Sequence, residues 1–129
     1  PAEMLSIYPT LLDLCGLKPY ERNEGVSLAP LLHGETDTAG EFALTTYGWG
    51  NHGVRMKDYR YIRYNNGSEE LYNHSNDPNE WYNLAQEKDK TGEIEKLKMF
   101  LPKVDVPYAK HSVYNFNPYF IKDKLVHSE

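Results

Sequence analysis

Tyr47, Trp49, Asn51, His52 and Arg55 crowd into one short stretch, spaced by Gly48, Gly50 and Gly53. An imidazole, a guanidinium, an amide and two large aromatics are the groups that hold a polar ligand. The imidazole moves protons near neutral pH. The guanidinium takes a carboxylate or sulfate in a two-point grip. An indole face can stack on a sugar ring. We take His52, Asn51, Arg55 and Trp49 as candidate ligand-contact residues. Each has a plainer alternative: a satisfied loop histidine for His52, a cross-strand ion pair with Glu69 or Glu70 for Arg55, and burial at a domain edge for Trp49.

Catalytic machinery is harder to find. Hydrolysis needs an activated nucleophile, or a metal-bound water, with acid and base groups beside it. The chain has no G-x-S-x-G, H-E-x-x-H, C-x-x-C or phosphate loop. Its histidines, at 33, 52, 74, 111 and 127, never recur at helical ligand spacing. Asn73, His74, Asn76 and Asp77 are dense in ligand atoms but lack a calcium-loop pattern and read as an Asx-turn. Glu69 and Glu70 are neighbours on a strand and must point to opposite faces, so they cannot work as a pair. We therefore expect no catalytic residue and no metal ligand in the chain.

The elements that must position the candidate patch form a meander. Val54–Lys57, Tyr59–Tyr64 and Glu69–Tyr72 read as strands joined by turns at Lys57-Asp58 and Asn65-Asn66-Gly67; Asn-Gly suits the positive φ of a hairpin turn. Glu41–Tyr47 adds a fourth strand by alternation. Thr91–Leu101 is an amphipathic helix with Ile94, Leu97 and Leu101 on one face and Phe100 beside them, stopped by Pro102. The turn Glu80–Leu84 is expected to plant Trp81 and Leu84 on the core.

Upstream, Ser6–Cys15 reads as a helix capped by Ser6, with Pro9 in its first turn and Gly16 as C-cap. Ile7, Leu11, Leu14 and Cys15 share its apolar face, widened by Tyr8 and Leu12. We expect Cys15 to be an inert core thiol and the broad stripe to pack on something larger than this chain. Ser27–Leu32 can make one helical turn, with His33 at its end, where a cation suits the helix dipole.

Bulk properties bound the function. The chain has 129 residues, a net charge of −5 and 40% hydrophobic residues, with mean hydropathy −0.72. That is one domain with a modest core. The acidic balance argues against nucleic acid or an anionic membrane as partner. No apolar run reaches membrane-spanning length. With Cys15 the single cysteine, no internal disulfide can form. The eleven tyrosines fit strands and carbohydrate or protein contact surfaces. The absence of an initiator Met fits a fragment or a processed product as well as a mature chain.

The wording of several segments resembles the sulfatases. Ser6-Ile-Tyr-Pro-Thr-Leu-Leu-Asp-Leu-Cys-Gly-Leu17 is similar to their D-[IL]-[YF]-P-T-L-L-[DE]-L-[AC]-G-[IL] segment, with Ser6 where Asp is common. Glu24-Gly-Val-Ser-Leu-Ala-Pro-Leu-Leu32 resembles the next. Asn51-His-Gly-Val-Arg55, Tyr59-Arg-Tyr-Ile-Arg-Tyr64, Glu69-Glu-Leu-Tyr-Asn73, and Asp77-Pro-Asn-Glu-Trp81 with Asn83-Leu-Ala85 follow in the family's order. The match runs from Leu5 to about Pro102 and is most similar to the iduronate-2-sulfatase-like branch of this alkaline phosphatase-like superfamily.

The resemblance implies a fold: α+β, a small antiparallel sheet of about four strands with a packed C-terminal helix, preceded by one helix of the larger α/β sulfatase domain. It implies a division into 1–17, the last helix of that domain; 18–40, a linker; 41–102, the C-terminal subdomain; and 103–129, an extended aromatic tail. The family's formylglycine motif, calcium ligands and catalytic Lys and His lie upstream of the matched segment. Cys15, followed by Gly-Leu-Lys, is not the modified cysteine. Calcium and formylglycine are thus implied for a parent enzyme and not for this piece, which alone should be inactive. The implied partners are the N-terminal sulfatase domain and a sulfated carbohydrate such as a glycosaminoglycan, in a periplasmic, extracellular or lysosomal setting. Without that domain the apolar stripe favours self-association. The rival reading is a stand-alone, non-catalytic carbohydrate- or protein-binding module; a phosphodiesterase or phosphonate hydrolase parent is a third.

Overall fold

Alternation sets the centre of the domain. Val54, Tyr61 and Leu71 occupy matching positions on three neighbouring strands and are completely buried. The computed structural model describes residues 1–36, 40 and 42–107. Four antiparallel strands form one sheet in chain order: β1 (Ala43–Thr46), β2 (His52–Arg55), β3 (Tyr59–Arg63) and β4 (Glu69–Asn73). Gly67, at φ 84°, makes the turn between β3 and β4 where a side chain would be strained. β2 begins at His52, two residues earlier than the alternation of Val54 onward indicates, because Thr46 and His52 pair across it.

Among the described residues three α-helices accompany the sheet: α1 (Ile7–Leu14), α2 (Ala29–Leu32) and α3 (Thr91–Lys98). As its spacing predicts, α3 lays Ile94 and Leu97 on Val54, Tyr61 and Leu71, and Leu101 closes the cluster. Phe100 stacks near Phe42, ring centroids 4.5 Å apart. The opposite face of the sheet carries Arg55, Arg60, Ile62, Glu70 and Tyr72, all half-buried.

α1 and α2 form a separate unit against the edge of β1. The Schellman bonds expected at Gly16 are present: Leu17 N–H donates to the Leu12 carbonyl and Gly16 N–H to the Asp13 carbonyl, both at 2.9 Å. Ser6 does not cap with its side chain. It is buried, and its carbonyl accepts the Thr10 hydroxyl at 2.5 Å. The same Thr10 oxygen accepts the Leu28 N–H, and Ser27 donates to Asp13, which seats α2 on α1. Gly25 passes so close to Leu5 that a Cβ would lie 2.0 Å from its carbonyl oxygen.

The apolar stripe of Ile7, Leu11 and Leu14 stays open to solvent. Two expectations fail here. Cys15 is exposed, not in a core. Trp81 is 75% exposed; only Leu84 of that turn reaches the core cluster. Of the aromatic tail, residues 108–129 lie outside the described residues.

Candidate functional site

The five patch residues share a segment but not a surface. Side chains alternate along β2, so His52 and Val54 face α3 while Arg55 faces the other way. Asn51 spans the entry: its oxygen accepts the Asn65 N–H at 3.1 Å, and its amide donates to the Trp49 carbonyl at 3.1 Å. These bonds tie the Gly48–Gly50 turn to the β3–β4 turn. Tyr47 N–H donates to the Asn51 carbonyl and closes the same loop. Trp49 stands half-exposed at the mouth of a shallow hollow of about 280 Å³, beside Arg63, Tyr64, Asn65 and Asp105.

His52 is 3% exposed and engaged on both ring nitrogens. Nδ1 meets the Thr46 hydroxyl at 2.9 Å, and Nε2 meets the Asp105 carboxylate at 2.5 Å. Arg63 stands 3.5 Å from the other Asp105 oxygen. In this arrangement the imidazole positions Asp105 and has no nitrogen free for a ligand. No local pattern marks Asp105: it sits in the non-periodic stretch after Pro102, and only the fold carries it back to β2.

Arg55 forms no cross-strand pair with Glu69 or Glu70. Its neighbour in register is Arg60, and the two glutamates lie a strand further away. Its Nη1 is buried with no hydrogen-bond acceptor among the described residues. Arg55 is among the residues that border a cavity of about 1260 Å³, with Pro1, Leu31, Lys57, Tyr59 and Lys96. A buried guanidinium nitrogen without an acceptor is costly, which makes this an anion-seeking position.

The glutamates split as the alternation requires. Glu69 lies under α3, where it accepts the Tyr61 hydroxyl at 2.5 Å and pairs with Lys98 at 2.9 Å. Those partners hold its carboxyl below the usual range, Tyr61 contributing most. Burial, and then Glu69, push the Tyr61 phenol well up. On the opposite face Glu70 accepts the hydroxyls of Tyr64 and Tyr72 at 3.1 and 3.0 Å.

A second cluster, which residue spacing does not reveal, surrounds Glu80. Its carboxylate takes two hydrogen bonds from Arg60, at 2.8 and 3.1 Å, and meets His74 Nε2 at 2.5 Å. Burial raises the Glu80 pKa, but Arg60 and His74 outweigh it and the net shift is downward. Glu80 also has a positive φ, 58°, although it is not a glycine. The Asx-turn expected at Asn73 is formed by the Ser75 N–H on its side-chain oxygen.

Among the described residues no three His, Cys, Asp or Glu side chains gather to hold a metal ion, and no helix is long and apolar enough to cross a membrane.

Residues 3–106 match the family model described as N-sulphoglucosamine sulphohydrolase, C-terminal. The chain belongs to this sulfatase C-terminal family. A sulfatase of Formosa agariphila is 47% identical over 124 residues, covering 96% of this chain and 24% of that protein. Arylsulfatase K of Danio rerio is 30% identical over 91% of the chain and 24% of its own length. A delta 4,5-hexuronate-2-O-sulfatase of Bacteroides thetaiotaomicron is 37% identical over 64% of the chain and 19% of that protein. This sulfatase C-terminal domain thus spans about a quarter of the curated relatives it matches. Among solved structures, a putative sulfatase from Bacteroides thetaiotaomicron superposes with TM-score 0.63 at 28% identity, covering 73% of this chain and 22% of that one. The fold is shared beyond sulfatases: a phosphonate monoester hydrolase of Agrobacterium radiobacter gives TM-score 0.61 at 22% identity, over 73% of this chain and 23% of its own.

Proposed function

We propose that this sulfatase C-terminal domain serves an enzyme that hydrolyses sulfate esters of a carbohydrate, and that it supplies one wall of the substrate site rather than the reacting groups. The observation that carries the reading is Arg55, whose buried Nη1 lacks an acceptor and which is among the residues bordering the large cavity. A sulfate or uronate carboxylate supplies that acceptor. Trp49 offers an apolar face nearby in sequence, while Asn51 and His52 hold the loop and Asp105 in place. The match to a hexuronate-2-O-sulfatase supports a sulfated uronate-containing sugar as the substrate class.

The partner in this reading is the catalytic N-terminal domain of the same enzyme. Leu5, Ile7, Leu11 and Leu14 are each about half exposed, a stripe that such a domain would cover. The same stripe draws free copies of this chain together at high concentration, which sedimentation velocity would detect. Calcium and formylglycine belong to that N-terminal domain. The residues described here do not fit either group, since no cation-binding cluster is formed and Cys15 stands in Cys-Gly-Leu-Lys.

A chimera tests the proposal. This chain replaces the matching C-terminal segment of the Formosa agariphila sulfatase, and sulfate release is measured on an aryl sulfate and on sulfated disaccharides. The expected result is retained turnover, with Arg55→Ala raising KM for the disaccharides more than it lowers kcat. A folded chimera without turnover, or sulfate release by this chain alone, would overturn the reading.

A further inference from the structure

Of the asparagines in the chain, Asn66 is the one followed by glycine. Asparagine is chemically labile because the backbone nitrogen of the next residue can attack its side-chain amide. A side chain on that next residue screens the nitrogen. Gly67 has none, and beyond its chain neighbours a Cβ there would meet nothing within 4 Å. Asn66, Gly67 and Ser68 are all exposed at the tip of the β3–β4 hairpin.

The turn prepares the amide. Ser68 donates twice to Asn66 Oδ1, from its backbone N–H at 2.9 Å and from its hydroxyl at 2.7 Å. Two donors on a carbonyl oxygen draw electrons from its carbon and stabilise the negative charge that attack places on the oxygen. Among the described residues no hydrogen bond holds Asn66 Nδ2, the group that must leave. One contact opposes the reaction: the Gly67 N–H donates to the Tyr64 carbonyl at 3.0 Å. That bond must open first, and a turn at the exposed end of a sheet opens at small free-energy cost.

Other asparagines are engaged in the fold. Asn51 and Asn83 use both ends of their amides. Asn73 donates to the Tyr59 hydroxyl at 3.3 Å and accepts the Ser75 N–H at 3.0 Å. Asn76 and Asn79 are exposed, but Asp77 and Glu80 follow them, and those side chains screen the attacking nitrogens.

We propose that Asn66 is a site of self-modification, assisted by Ser68. The Gly67 nitrogen loses its proton and bonds to Asn66 Cγ. The Cγ–Nδ2 bond breaks, and Nδ2 leaves as ammonia. Water then opens the five-membered imide at either carbonyl, giving aspartate or isoaspartate. Either product adds a carboxylate to a chain already at −5. It does so at the turn whose Asn65 and Gly67 border the Trp49 hollow with Arg63 and Asp105. Isoaspartate also lengthens the backbone of the turn that Asn51 holds at Asn65. The reaction needs no partner and is independent of the Arg55 reading.

The test holds the full 129-residue chain in neutral and in mildly alkaline buffer beside a peptide of residues 64–70. Conversion is read by peptide mapping with mass spectrometry, and isoaspartate by methyl transfer from a labelled donor with an isoaspartyl methyltransferase. Asn66 should convert before any other asparagine, at a rate within about tenfold of the peptide's. Because the attacking nitrogen must lose a proton, the rate should rise about tenfold per pH unit. Asn66→Gln should abolish labelling at this turn. Ser68→Ala should slow conversion several-fold in the folded chain and little in the peptide, where the hydroxyl contact is not preformed. Both positions are exposed, so these variants should melt close to the parent chain. Earlier conversion at another asparagine overturns the proposal. So does an Asn66 that stays intact while the peptide converts, the result expected if the Gly67–Tyr64 bond protects it. Equal rates in Ser68→Ala and the parent overturn the assistance assigned to Ser68.

Discussion

The Tyr61 hydroxyl donates to the Glu69 carboxylate at 2.5 Å across the β3–β4 pair, directly beneath α3. Tyr61 is fully buried, so this bond and the Glu69–Lys98 ion pair make the polar seam between sheet and helix. Tyr61→Phe removes the donor and leaves its ring in place. The expected cost is about 1.5–3 kcal/mol, the range for a bond to a charged group, read as a lower urea midpoint with an unchanged slope.

The same seam sets two pH limits. The folded pKa of Glu69 and Glu80 lies below the ordinary value of 4.5. Their contribution to stability is fully present above that value and is lost as pH falls through the lower folded pKa. The folded pKa of Tyr61 lies above its ordinary 10.0. Its contribution is present below pH 10 and is lost as pH rises through the folded value. Thermal melts should therefore show a plateau that falls at both ends, and Glu69→Gln should flatten the acid arm.

Gly25→Ala tests the docking of α2 on α1. With the Leu5 carbonyl oxygen 2.0 Å from the added carbon, the backbone must shift. A loss of roughly 1–3 kcal/mol, the usual cost of overpacking, is expected. It should appear as faster amide exchange at Leu28, whose N–H bonds to Thr10. Unaltered exchange there would show that the close approach relaxes freely.

Asp105→Ala strips a partner from a histidine that is 3% exposed. An unsatisfied buried nitrogen costs about 1–3 kcal/mol. The imidazole resonances of His52 should shift and the Trp49 hollow should open, seen as a red shift in fluorescence. Asp105→Asn, which can still accept a hydrogen bond, should recover part of the loss.

How far the sequence foretold this depends on the range of the signal. The strands, the turn at Gly67 and the buried face of α3 were legible because each is written in local periodicity. The opposite orientations of Glu69 and Glu70 followed from the period of a strand alone. The burial of His52 was not legible, because its partners Thr46 and Asp105 are 6 and 53 residues away. The ion pair of Arg55 with Glu69 or Glu70 was misread, because it depends on a register that local pattern cannot set. Trp81 was placed in the core on size, and the Glu80 clasp that holds it outward depends on Arg60, twenty residues upstream. Cys15 was read as a core thiol because it falls at the end of the apolar stripe of α1, and no part of the described chain covers that stripe.

Each border of the sheet has one residue whose outward backbone groups the chain itself engages. On the β1 side the Leu44 N–H donates to the Glu3 carboxylate; on the β4 side Asn83 and Leu84 take up the free groups of Leu71. An unpaired border is the template on which foreign strands add and amyloid grows. At Leu44 and Leu71 that template is already taken up.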